Sequence, residues 1–285
     1  MSVLRRELQL STSDRVEYED EGWDSRVYIV NGGEAVFKFP RSDRVIDQYR
    51  TEVAVLRLLE SQQLPVDVPR LRWLDPELRY VGYEGIRGRR LSDVLDSLGA
   101  EEKQRAGEMV GRFVLRLHAL DLPGARVVDL DAEIANYVEK FNLSEDVLRA
   151  RLSATEFTVV SDFFTDELPA ELRRFGTDLK LCHGDLGPWN IITSTASTPD
   201  GGIGVIDFGD AGYWDASKDF SGRDPDFLRA ALDSYGADDG LRAKAELRSR
   251  AFPVLDMPFY IGKGRDDGVE MCLDDVRRVL LARGT

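Results

Sequence analysis

One loop constrains this chain more than any other stretch: LCHGDLGPWNIIT, Leu181 to Thr193. It sets a His, an Asp, two Gly, a Pro, a Trp and an Asn between apolar runs. A plain connector needs only turn-forming residues. Here an acid and a carboxamide, Asp185 and Asn190, are spaced along one tight loop. The next apolar run, GVIDFGD at 204–210, ends in a second acid, Asp207. A hairpin made of these two segments brings Asn190 and Asp207 to one end. Such hard oxygen donors suit Mg²⁺, which takes few protein ligands and shares itself with phosphates. Either residue alone reads as an ordinary turn former or loop cap.

The spacing adds what neither residue carries by itself. H-x-D-x-x-x-x-N, followed by a strand ending in D-F-G, resembles the catalytic apparatus of the protein-kinase-like phosphotransferases. In that apparatus Asp185 accepts the proton of an attacking hydroxyl, while Asn190 and Asp207 hold metal on ATP or GTP. His183 is expected to pack and to bond the loop backbone. The apparatus also demands a strand lysine on the nucleotide phosphates and a helix glutamate to hold it. AVFKFP supplies Lys38 in a strand, and YRTEVAVLRLL supplies Glu52 in the helix that follows. The lysines are only Lys38, Lys103, Lys140, Lys180, Lys218, Lys244 and Lys263, so one inside a strand stands out.

Composition bounds the alternatives. The chain has 285 residues, 42% hydrophobic and 32% charged, which is ordinary globular composition. A net charge of −14 argues against a nucleic-acid partner and suits a cationic one, although solubility alone accounts for many acidic proteins. No apolar run reaches the roughly 18 residues of a membrane span, and MSVLRRELQLSTSD has no apolar core of a signal peptide. Cys182 and Cys272 have no CxxC partner, so neither a disulfide framework nor a zinc site is expected, and a cytoplasmic location fits.

Alternating apolar residues predict strands at VEY, RVYIV and EAVFKFP, the last two joined by an Asn-Gly-Gly turn. A helix follows over 43–61, then two strands, LRWL and RYVGYEGI. Residues 101–120 place Ala106, Met109, Val110, Phe113 and Leu117 on one helical face. Segments 129–150 and 153–174 also read as helix. LKLCHGD, NIIT and GIGVIDFGD read as short strands with polar ends, STASTPDGG (194–202) as a turn, and helices return after about 224. The expectation is an α+β, two-lobed fold with a small, mostly antiparallel β lobe holding one helix (1–88) and a larger helical lobe (89–285).

Nearly the whole chain resembles the aminoglycoside phosphotransferase family of small-molecule kinases. HGDLGPWN and IDFGD carry the likeness. EGWDSRVYIVNGGEAVFKFPR, TEVAVLRLL and IDFGDAG narrow it to the aminoglycoside 2''-phosphotransferase branch. The resemblance implies a two-lobed kinase-like fold and O-phosphorylation of an aminoglycoside, a resistance-type activity, by a monomer using ATP or GTP with Mg²⁺. It implies that VGYEGIRG (81–88) is a hinge where backbone groups of Glu84 and Ile86 bond the purine and Tyr83 stands as gatekeeper over the purine entrance. It implies that EDEGWDS covers the phosphates through Gly22 and Ser25, and that Asp219 braces the catalytic loop. It points to Asp224, Asp226, Asp266, Asp267, Glu270 and Tyr260 as lining for a cationic acceptor, or as a merely solvated acidic surface. SGRDPDF is shorter than that branch's acidic stretch, and no second aromatic follows Tyr260. Another hydroxylated metabolite or antibiotic is the alternative acceptor. A protein kinase would need an APE-like segment after IDFGD, which is missing. A nucleotide-binding pseudokinase would have lost a Lys, base Asp or metal Asp, and none is lost. No Walker A or GxGxxG sequence is present.

Overall fold

The computed structural model of the protein describes residues 10–11, 13–20, 22, 24–193, 202–222 and 224–282. The turn expected at STASTPDGG falls almost wholly outside them, as do Glu21 and Trp23 of EDEGWDS. The chain forms two compact units. One takes residues 1–99, 122–125 and 187–211, and the other takes 100–121, 126–186 and 212–285.

The first unit is built on five strands, β1 (Val16–Glu19), β2 (Ser25–Val30), β3 (Ala35–Pro40), β4 (Arg70–Leu74) and β5 (Val81–Glu84), in the order β1-β2-β3-β5-β4. Every pairing is antiparallel. Asn31, Gly32 and Gly33 all take positive φ in the β2–β3 turn, which Asn and Gly tolerate and β-branched residues do not. Helix α1 (Arg44–Leu59) buries Val45, Tyr49, Glu52, Val53, Leu56 and Leu59 along one stripe. A smaller sheet joins β6 (Arg89–Arg90), β8 (Ile191–Thr193) and β9 (Ile203–Val205). A Cβ at residue 204 would lie under 3.0 Å from the Ile86 side chain, so glycine there lets Ile86 pack without shifting.

The second unit is helical: α2 (Ala100–His118), α3 (Leu130–Arg151), α4 (Ala154–Asp162), α5 (Leu168–Arg174), α6 (Pro225–Tyr235), α7 (Asp239–Lys263) and α8 (Asp266–Val276). Strands β7 (Leu179–Cys182) and β10 (Gly212–Asp215) pair antiparallel within it. The helix expected over 153–174 is interrupted by a π-helical segment, Phe163–Glu167. Pro169 has no N–H to donate one turn back, and its ring crowds that carbonyl, so the chain widens before it. Phe141, Phe163, Phe164, Leu172, Val254 and Leu273 are among the buried side chains of this unit's core. Among the described residues no helix is long and apolar enough to cross a membrane.

Candidate active site

The first unit gathers Lys38, Glu52, Tyr83 and Asp207. Strand β3 pairs with β5 so that Val36 stands opposite Tyr83 and Lys38 opposite Val81. Lys38 then projects on the face covered by α1, while Phe37, on the other face, is buried against Trp73. Lys38 Nζ donates to both Glu52 oxygens, at 3.0 and 3.3 Å, and to Asp207 Oδ1 at 2.9 Å. Burial by itself would lower the lysine pKa, but Asp207 and Glu52 together outweigh it and hold Lys38 raised and charged.

Glu52 is 2% exposed. A buried carboxylate needs partners on both oxygens. The second is Tyr83, whose hydroxyl donates to Glu52 Oε2 at 2.7 Å. Tyr83, expected as gatekeeper, is a buried ring whose hydroxyl is turned onto the glutamate. Burial, then the Glu52 charge, pushes the Tyr83 hydroxyl up. One turn before Glu52, the Tyr49 hydroxyl lies 2.8 Å from Ser25 Oγ, so the hydroxyl expected over the phosphates is tied to α1. Gly22 has the Ser25 carbonyl as the nearest atom to a built Cβ, at 3.6 Å. Glu84 pairs its side chain with Arg72 on the surface, and the Ile86 carbonyl abuts Gly33.

Asp207 takes φ +69°, a left-handed conformation rare for a residue with a Cβ. It lies two residues past β9 and caps the turn Phe208–Asp210, which packs on α1. The Ile206 N–H donates to the Asn190 carbonyl at 3.0 Å, so the β8–β9 hairpin fixes Asn190 and Asp207 in one local frame. Asn190 is buried, whereas the Asp207 side chain is 51% exposed. A carboxylate and a carboxamide in that frame form a donor set that fits a hard divalent cation.

In the second unit, Asp185 stands exposed within a loop whose neighbours His183, Gly184 and Leu186 are buried. Asp219 holds that loop. Its two carboxylate oxygens accept the His183 and Gly184 backbone N–H groups, at 2.8 and 2.9 Å. Burial would raise Asp219, but His118 and these donors keep it below the usual carboxylate range. His118 lies 3.3 Å from Asp219 and 3.0 Å from the Tyr235 hydroxyl. With Cys182 it forms, among the described residues, the one trio of candidate metal-ligand atoms within 4.8 Å. That trio is buried and supports the loop. Sequence reading gave no role to His118, Tyr49 or Lys218, and placed Tyr83 only by position.

Four of the five acidic residues expected around an acceptor are engaged by cations. Asp224 is the N-cap of α6, accepting from Asp226 and Phe227 N–H, and pairs with Lys103 at 2.7 Å. Asp226 pairs with Arg229, Asp267 with Arg265 and Glu270 with Arg151. Asp226 lines a groove of about 510 Å³ with Arg112 and Arg229. Tyr260 and Asp266 line another, of about 290 Å³, with Asp146 and Arg265.

The fold matches solved structures over nearly its full length. The GDP and kanamycin complex of APH(2")-IIia aligns with 96% of this chain and 97% of its own, at 23% identity and TM-score 0.76. The microcompartment-associated aminopropanol kinase aligns over 96% and 95%, at 17% identity and TM-score 0.69. The apoenzyme of macrolide 2'-phosphotransferase MphH from Brachybacterium faecium aligns over 96% and 97%, at 18% identity and TM-score 0.61. These likenesses show the α+β, protein-kinase-like fold. No curated protein sequence matches significantly. The model of the phosphotransferase enzyme family matches residues 18–247, and the chain belongs to that family.

Proposed function

We propose that the chain transfers the γ-phosphate of ATP or GTP to a hydroxyl of a small molecule. The observation that carries this reading is Lys38 held at 2.9–3.0 Å between Glu52 and Asp207, a lysine kept charged and fixed for phosphate oxygens. Residues 1–88 form the nucleotide side, with Gly22 and Ser25 toward the phosphates and Tyr83, Glu84 and Ile86 toward the purine. Residues 89–285 carry the acceptor side, apart from 89–99, 122–125 and 187–211, which fold with the first unit and bring Asp207, with Asn190 in its hairpin, to Lys38. Asn190 and Asp207 would hold Mg²⁺, which neutralises charge on the phosphate oxygens when bound. Asp185, exposed on a braced loop, accepts the hydroxyl proton as the acceptor oxygen bonds the γ-phosphorus and the bridging oxygen leaves with ADP or GDP.

An aminoglycoside is the acceptor suggested by the resemblance and by the −14 charge. In that case Asp224, Asp226, Asp266, Asp267, Glu270 and Tyr260 meet a polycationic sugar, and the activity confers resistance in the cytoplasm of the host, the enzyme acting as a monomer. Another hydroxylated small molecule is the second reading, favoured by the ion pairs already made by Asp224, Asp226, Asp267 and Glu270. Phosphate incorporation from ATP and GTP into aminoglycosides, macrolides and neutral polyols tests both. Asp185→Asn is expected to lower kcat by about 10²–10⁴ with nucleotide affinity kept. Near wild-type kcat in that variant would falsify the base assignment. Measurable turnover with GTP is expected, because a ring as large as Tyr83 at the purine entrance narrows the pocket against adenine; no GTP turnover in wild type or Tyr83→Ala removes that argument.

A further inference from the structure

A charge cluster in the second unit has no part in the steps above. Arg248 on α7 bonds Glu133 on α3 at 2.5 and 3.0 Å, and the Tyr137 hydroxyl at 2.6 Å. Lys244, one turn earlier, lies 2.6 Å from Asp215, and Arg248 reaches the same carboxylate at 3.8 Å. Lys218 approaches Glu133 only at 3.7 Å. Three cations thus share two carboxylates. Arg248 and Lys244 are buried, whereas the Lys218 side chain keeps 22% of its surface exposed.

Two aromatic faces fix this lysine without neutralising it. Its ammonium sits 5.0 Å from the Trp214 ring centre and 5.8 Å from that of Tyr137. The backbone sets it one residue from the aspartate that holds the catalytic loop. Lys218 immediately precedes Asp219, whose carboxylate holds His183 and Gly184, the two residues before Asp185. Burial would lower the Lys218 pKa, but Tyr137, Glu133 and, further down, Asp185 hold it raised. A fixed, partly exposed cation whose charge is felt at the base repels ammonium groups and attracts anionic oxygens.

We propose that Lys218 binds an anionic oxygen of the acceptor, so that the hydroxyl facing Asp185 belongs to a hydroxylated carboxylate or phosphate ester and not to a polycation. This rests on the phosphotransfer reading and selects its second acceptor class.

The test measures labelled phosphate transfer from ATP and GTP to gluconate, glycerol 3-phosphate, glucose, glycerol and kanamycin, in wild type, Lys218→Gln and Lys218→Arg. Melting curves confirm that each variant is folded. The expected result is a preference of about tenfold or more in kcat/KM for gluconate or glycerol 3-phosphate over the neutral compounds. The better of the two tells carboxylate from phosphate. Lys218→Gln abolishes the preference mainly through KM, and Lys218→Arg keeps it. Kanamycin or a neutral polyol as the best acceptor overturns the proposal, as does a Lys218→Gln loss that is equal for every acceptor. If nucleotide binds but nothing is phosphorylated, the kinase reading fails by itself. Calorimetric titration of gluconate and glycerol 3-phosphate then decides: binding to wild type and not to Lys218→Gln upholds the anion site, and equal or no binding ends it.

Discussion

The Tyr83 hydroxyl and the Lys38 ammonium share one buried carboxylate, Glu52. Tyr83→Phe removes a donor from that carboxylate while leaving the ring in place. A buried acceptor left short of a partner costs about 1–3 kcal/mol. Urea unfolding is expected to show that loss, and the nucleotide KM to rise as Glu52 holds Lys38 less firmly. Unchanged stability and KM would discard this role for the hydroxyl. Asp75 gives a pH-dependent case. It is buried and accepts from Arg79 and from the Glu77 and Arg79 N–H groups, and its pKa falls to about 2, chiefly through the Arg79 side chain. A folded value below the unfolded one stabilises above about pH 4, and the gain is lost as pH falls from there to about 2. Because Arg79 is largely exposed, the gain is on the order of 1 kcal/mol. The stability gap between wild type and Asp75→Asn should shrink over that window, and a pH-independent gap contradicts it. Lys38, Glu52, Asn190 and Asp207 were legible as candidates because their order along the chain matches one chemistry. The bonds Tyr83–Glu52 and Tyr49–Ser25 were not, since they depend on the β3–β5 register and on which face of α1 is covered.

Helices α2 and α6 touch along a seam of small residues. A Cβ at Gly111 would come within 3.0 Å of the Ala231 carbonyl oxygen and the Ser234 hydroxyl, and one at Gly107 equally close to the Phe227 carbonyl. Gly→Ala gains about 1 kcal/mol of helix propensity in isolation. Overpacking against backbone costs about 1–3 kcal/mol or more, so the clash wins. With the Cβ well under 3.0 Å from a backbone carbonyl oxygen the clash lies at the upper end of that range, so Gly111→Ala is expected to destabilise by about 2 kcal/mol after the propensity gain, while Gly124→Ala, with open space but φ +81°, is destabilised only by backbone strain. A Gly111→Ala protein as stable as wild type would refute this packing. At this scale the sequence was readable wherever periodicity was strong. The β2–β3 hairpin and the helices at 44–59 and 100–118 follow from local pattern. The π-helical interruption at 163–167 was not read, because its flanking apolar residues keep a helical spacing and only Pro169 hints at the wider turn.

For the whole molecule, nucleotide with Mg²⁺ should raise the melting temperature, since a ligand at about 100 times its Kd adds about 2.7 kcal/mol. Asp207→Ala, or chelation of the metal, should remove most of that gain, leaving what Lys38 and the purine contacts supply. A shift indifferent to both treatments dismisses Asp207 as a metal ligand. The division into two units follows no break in composition, because β8 and β9 join the first unit through β6 and through the Asp67 backbone, which bonds residues 203 and 205. That discontinuity bears on the order of events at the ribosome. Residues 16–99 emerge well before 187–211, and at about 5–20 residues per second the wait is on the order of 5–20 seconds. During that interval Lys38 has Glu52 but not Asp207, and β6 has no strand to pair with. The nascent first unit therefore completes itself only after about half of the second has been made, and a ribosome stalled near residue 150 should display a β sheet and α1 that a protease still digests.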